Sequence, residues 1–159
     1  MVEDFLKDNE AEYELLEHGR AFSAQETAAE DGVSGYDFAK TVIATDGDAY
    51  YMLVLPAVME VQMEKAGGLV GAELELAEER EVADLFPDCE VGAEPPFGSQ
   101  YGLDTFVDGC LEEKEYITFR AGTHDRSIRM KCADYMELEK PVKGFFAAPR
   151  RVEQFLSGR

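Results

Sequence analysis

Three short stretches of this sequence of 159 residues hold groups that could do chemistry together. "DFAKTVIA" places Lys40 at the head of an apolar run. In extended backbone successive side chains point to opposite faces, so Lys40 lies opposite Ala39 and Thr41 and shares a face with Val42. There it either enters an opening in the core or, as an edge lysine, blocks further strand pairing. "GAEPPFG", residues 92–98, joins two prolines that stiffen a loop to two glycines, Gly92 and Gly98, that leave its amides accessible. The same composition also serves an ordinary structural turn. "AGTH", residues 121–124, ends a strand at Gly122 and presents His124, which is either a functional imidazole or an incidental exposed one. Together an ammonium group, a run of amides and an imidazole suit an anion or a polarised carbonyl.

Other chemistries lack their signatures. There is no G-x-S-x-G turn, and the two histidines, His18 and His124, have no serine-type triad around them. Cys89, Cys110 and Cys132 form no C-x-x-C pair, so neither a disulfide framework nor a zinc site is expected, and reduced, buried thiols are the simple reading. No H-E-x-x-H, calcium-loop, P-loop or dinucleotide pattern is present, and neither metal nor cofactor is expected.

The elements that must position these groups follow from periodicity and turn chemistry. "VEDFLKDNEAEYELLEH" predicts a short helix and then a strand leading to His18. "SAQETAAEDG" predicts a helix, because Ser23 and Glu26 have capping-box spacing and Gly32 suits its stop. "DFAKTVIAT" and "AYYMLVLP" flank "DGD" and predict an antiparallel hairpin. "AVMEVQMEKAGG" predicts a helix stopped by its paired glycines, "AELELA" a strand, and "EEREVADLFP" a helix ended by Pro87. "LDTFVDGCL" and "YITFRAG" read as strands, "SIRMKCADYMEL" as a strand entering a short helix, and the basic tail as ending in a helix. Helices and hairpins without a strict βαβ rhythm give a mixed α/β class in one domain spanning 1–159.

Charge divides the chain. The net charge is −19 from 34 acidic and 15 basic residues. Residues 1–113 carry −23, and residues 114–159 carry +4. The acidic part fits a solvated coat; the basic part is where a polyanion would touch. The N-terminus lacks a signal-peptide pattern and the longest apolar stretch, "YYMLVLPAVM", is too short to span a bilayer, so a cytoplasmic protein without membrane association is expected.

"FAKTVIATDGDAYYMLVLPA", "GAEPPFGSQYGLDTFVDGCL" and "ITFRAGTHDRSIRMKCADYMEL", in this order, resemble the YbaK/EbsC family, stand-alone relatives of the editing domain of bacterial prolyl-tRNA synthetases. The likeness covers about residues 18–141 and leaves 142–159 as a basic tail outside the family core. It implies a curved mixed sheet or partial barrel wrapped by helices. It also implies a trans-editing hydrolase that deacylates mischarged aminoacyl-tRNA carrying a small residue of the alanine, serine, threonine or cysteine class. By position the family's lysine falls on Lys40, its substrate loop on Gly92 to Gly98 and its far pocket wall on Gly122 and His124. His18, Thr41, Pro95, Pro96 and Phe97 become substrate-binding positions. Thr41 departs from the asparagine of the alanyl-specific branch, and Gly92-Ala93 from the paired glycines of the cysteinyl branch; Pro95-Pro96 with Phe97 look like the branch acting on small residues.

Such a site positions water and stabilises an oxyanion without a covalent nucleophile, because the ester is already activated. Arg126, Arg129, Lys131, Lys143, Arg150 and Arg151 are the expected contacts to the tRNA acceptor end, and a synthetase is a second candidate partner. The alternative reading is a binding module of the same fold that recognises an amino acid, a nucleotide or a synthetase.

Overall fold

The computed structural model describes residues 2–21 and 23–150. In chain order these form α1 (Val2–Asp8), β1 (Glu14–Glu17), α2 (Ala24–Glu30), β2 (Ala39–Thr45), β3 (Tyr50–Pro56), β4 (Met59–Val61), α3 (Met63–Val70), β5 (Glu75–Leu76), α4 (Glu79–Leu85), β6 (Asp104–Asp108), α5 (Gly109–Glu112), β7 (Tyr116–Arg120), β8 (Arg126–Lys131), α6 (Cys132–Glu139), β9 (Val142–Gly144) and β10 (Ala147–Pro149). A 3-10 turn spans Gly98–Tyr101.

The largest sheet runs β5-β2-β3-β6-β9. The β2–β3 hairpin is antiparallel with Lys40 opposite Leu55, whereas β3–β6 and β6–β9 are parallel. A second, antiparallel sheet runs β1-β8-β7, and β10 pairs with β4. One parallel bridge, Phe38 to Thr118, joins the hairpin's entry to β7. This is a mixed sheet system flanked by helices, as expected, and it does not close into a barrel among the described residues. No described helix is long and apolar enough to cross a membrane.

Local chemistry explains most elements. Ser23 Oγ accepts the Glu26 amide and the Glu26 carboxylate accepts that of Ser23, so the capping box of α2 is complete. The helix expected over residues 57–68 is shorter at its start and longer at its end. Residues 59–61 become β4 because β10 offers a ladder, and α3 passes the paired glycines to end at Gly71, in the left-handed region at φ 87°. "AELELA" contributes only the two residues of β5. In the tail, residues 142–144 form β9 and 147–149 form β10, and the predicted terminal helix lies outside the described residues.

The core is centred on Phe97, whose ring meets Phe5, Phe119 and Tyr135 edge-on at 5.4, 5.6 and 5.1 Å. Two buried carboxylates tie strands to loops. Asp108 Oδ2 accepts the amides of Phe146 and Ala147, both at 2.9 Å, which fastens the end of β6 to the β9–β10 link. Glu139 accepts Ser99 Oγ at 2.6 Å, the Ser99 amide at 3.0 Å and Thr105 Oγ1 at 2.6 Å. The loop that begins at residue 90 is thereby clamped at its far end.

Candidate functional site

The site grows from the junction of two loops. Glu90 N donates to Gly122 O at 2.8 Å, and Gly122 N returns a bond to Ala93 O at 2.9 Å. Glu90 Oε1 accepts the His124 amide at 2.7 Å while its other oxygen holds Arg20 at 2.8 Å. His124 Nε2 donates to Val91 O at 2.9 Å, which fixes its tautomer. "GAEPPFG" and "AGTH" are therefore one hydrogen-bonded unit. His124 is a buried strut of that unit, only 6% exposed, and not the open imidazole anticipated from sequence.

Lys40, Thr41 and Ala39 of β2, Ser23 and Ala24 at the start of α2, Gly92 and Glu94 of the loop, and Arg120 at the end of β7 surround a cavity of about 170 Å³. Gly92 has φ +90°, a backbone conformation that residues other than glycine rarely adopt, so glycine is favoured at the rim. Its carbonyl accepts from Arg120 Nη1 and its amide donates to Glu94 Oε2 at 2.8 Å. Arg120 and Glu94, each more than nine-tenths buried, thus hold the two peptide groups that flank Gly92.

Burial perturbs all three charged groups. Lys40 is held below the usual lysine range, first by burial and then by Arg150, with Glu60 opposing. Arg120 is lowered by burial, against the attraction of Glu94 and Glu26. Burial raises Glu94, although the amides of Gly92 and Glu94 and the charges of Arg120 and His124 oppose the shift. No thiol is activated: burial pushes Cys89 up to about 12, and Cys110 and Cys132 are raised for the same reason. Among the described residues no group of three His, Cys, Asp or Glu side chains could hold a metal ion.

The aminoacyl-tRNA editing domain family matches residues 18–138 of this chain, about three quarters of its length. The chain belongs to that family. It is 32% identical over 94 residues to the multifunctional Ser/Thr-tRNA deacylase ProXp-y of Escherichia coli; this stretch spans 58% of the present chain and 56% of the relative. Its fold matches a hypothetical protein with TM-score 0.85 at 23% identity, over 92% of this chain and 99% of the other. A candidate trans-editing enzyme for prolyl tRNA synthetase matches with TM-score 0.80 at 20% identity, over 92% and 94% of the two chains. These two likenesses concern the fold.

Within this editing domain the anticipated site residues separate. Lys40, Thr41 and Gly92 line the cavity. Gly122 and His124 stand behind it, supporting the loop. Gly98 is buried, its amide given to Thr105 Oγ1 at 3.1 Å, and an added Cβ would lie 2.5 Å from that oxygen. Pro95, Pro96 and Phe97 are buried; Pro96 O accepts Tyr135 Oη at 2.8 Å, while Pro95 and Phe97 border a smaller hollow with Tyr101. The amides of Gly92, Ala93, Phe97 and Gly98 all have protein partners, so the loop does not offer the open row of donors expected from its composition.

His18 is engaged elsewhere. Its Nδ1 donates to Gly19 O at 2.7 Å, its Nε2 lies 3.1 Å from Ser127 Oγ, and Asp31 lies 3.6 Å away. Arg126, Arg129 and Lys143 lie within 4 Å of Glu3, Glu14 and Glu112, respectively, and Arg129 also covers the Tyr116 ring at 4.0 Å. Lys131 borders an acidic hollow with Asp134 and Glu137. Arg150 is exposed and near enough to Lys40 to lower its pKa; Arg151 lies outside the described residues.

Sequence reading missed Arg120 and Glu94. Neither has a local signal: in "YITFR" Arg120 shares a face with Tyr116 and Thr118, opposite Ile117 and Phe119, and so reads as solvent-facing, and Glu94 reads as one more surface carboxylate.

Proposed function

We propose that this editing domain is a trans-acting hydrolase that removes a small amino acid from mischarged tRNA. The observation that carries the reading is the half-buried ammonium of Lys40 in a cavity of about 170 Å³ that also holds Arg120. Such a cavity is roughly ten times what a single water needs. That suits a small aminoacyl group and leaves the terminal adenosine at the mouth. The name of the E. coli relative supports serine and threonine as substrates, and Thr41 at the rim is a hydroxyl able to meet theirs.

Chemically, Lys40 anchors the terminal phosphate or polarises the ester carbonyl, and its charge grows in worth as the transition state gathers negative charge. Arg120 holds Gly92 in place and adds positive potential. Water attacks an ester already activated by its ribose leaving group, so no side-chain nucleophile is needed. Discrimination against a larger cognate residue is steric, because one methylene separates substrates by only about 1–3 kcal/mol in binding alone.

The test is deacylation of seryl-, threonyl-, alanyl- and cysteinyl-tRNA carriers by the wild type and by Lys40→Ala. At least one ester should be cleaved well above its spontaneous rate, and the variant should lose about 100-fold or more, the scale of one transition-state electrostatic contact. Cleavage of none, or an equally active variant, leaves the binding-module reading in its place.

A further inference from the structure

We infer that Glu94 reads the α-ammonium group of the aminoacyl ester. This rests on the deacylase reading and names what holds the far end of the same substrate. An aminoacyl ester carries a positive charge one carbon from its carbonyl, and a phosphate on the nucleoside side. The cavity carries the complementary charges. Glu94 is 6% exposed, Arg120 7%, Lys40 half-buried and Arg150 open to solvent. Glu94, Arg120 and Lys40 line the one cavity, so a carboxylate and two cations face the same space, with the exposed Arg150 close enough to act on Lys40.

Glu94 also lacks a close cation of its own. Buried carboxylates are ordinarily paired. Among the described residues, however, Glu94 makes no ion pair within 4 Å; its carboxylate accepts the Gly92 amide at 2.8 Å, and the charge of Arg120 acts on it from further away. The carboxylate is held still by that amide and by the two prolines that follow it. A rigid, underpaired anion lining a small cavity is preorganised for a ligand cation. A structural anchor for Gly92 alone would need no charge, since a glutamine oxygen accepts the same amide.

The test compares an aminoacyl-tRNA cleaved by the wild type with its N-acetylated form, which has the same ester but no ammonium group. The wild type should favour the free amine at least about tenfold in kcat/KM, the scale of one charge-assisted hydrogen bond. Glu94→Gln should collapse that preference, lowering kcat/KM for the free amine, mainly through KM, far more than for the N-acetyl ester. Absence of a preference in the wild type overturns the inference without any variant. So does a variant that keeps the preference, or one that slows both esters equally through kcat, as loss of a general base would. If no ester is cleaved, the deacylase reading falls by itself. Equilibrium binding of a stable 3′-aminoacylamino-deoxyadenosine and its N-acetyl form then decides Glu94: the same tenfold gap, abolished in Glu94→Gln, supports the assignment, and equal affinities overturn it.

Discussion

Lys40 stands between two demands. Its charge is what the proposed chemistry uses, yet burial and the nearby Arg150 favour the neutral amine. The sign follows directly. A lysine whose pKa is depressed loses its proton earlier as pH rises, so enzyme-dependent cleavage should decline at a pH below the ordinary lysine value of about 10.4. Arginine keeps its charge throughout that range. Lys40→Arg should therefore abolish the alkaline decline, whatever it does to the maximum rate, when kcat/KM is followed from pH 6 to 10 on the N-acetylated ester, whose blocked amine does not titrate in that range as a free α-amino group does near pH 8, with spontaneous hydrolysis subtracted. An identical decline in the variant would assign the titration to a group other than Lys40. At this scale Lys40 was legible because a single lysine heads an apolar hairpin. Glu94 was not, since one carboxylate among 34 acidic residues looks like surface until the loop's path is known.

The elements were legible where their signals are local. The capping box fixed α2 and the Asp-Gly-Asp turn fixed β2–β3, because each places its hydrogen bonds within a few residues. Elements whose partners are distant were not. Residues 59–61 pair with 147–149, and 142–144 run parallel to 106–108, so neither strand exists without the rest of the fold. The site loop shows the same division. Its prolines announced rigidity, but its attachment depends on Glu139 in α6, reached across 40 residues to Ser99 and 34 to Thr105. Glu139→Ala leaves the buried Thr105 hydroxyl and the Ser99 amide without their acceptor, a loss of about 2–3 kcal/mol. For a chain this long that lowers Tm by roughly 5–10 °C. Because the clamp lies at the loop's far end, kcat/KM of the folded variant should fall with it. Calorimetry and cleavage rates at 20 °C separate the two effects, and an unchanged Tm would show that the clamp contributes nothing to stability.

For the whole molecule the difficulty is charge. A protein of net −19 repels tRNA at long range, and only local positive charge can offset that. Three of the six basic residues expected to help are already committed: Arg126, Arg129 and Lys143 each lie beside a carboxylate. Arg150 differs, being exposed and close enough to influence Lys40 at the cavity mouth. If one phosphate of the acceptor end sits between them, neutralising Arg150 removes about one counterion-release contact. The plot of log kcat/KM against log salt should then become shallower by about 0.7–0.9 for Arg150→Ala. Arg126→Ala, which frees Glu3 and exposes one more negative charge, should lower the rate at low salt without flattening the slope as much. An Arg150→Ala slope equal to that of the wild type would move tRNA contact away from the cavity mouth and onto another face. The large negative charge would then serve to keep binding weak, so that a proofreading encounter ends as soon as the ester has been tested.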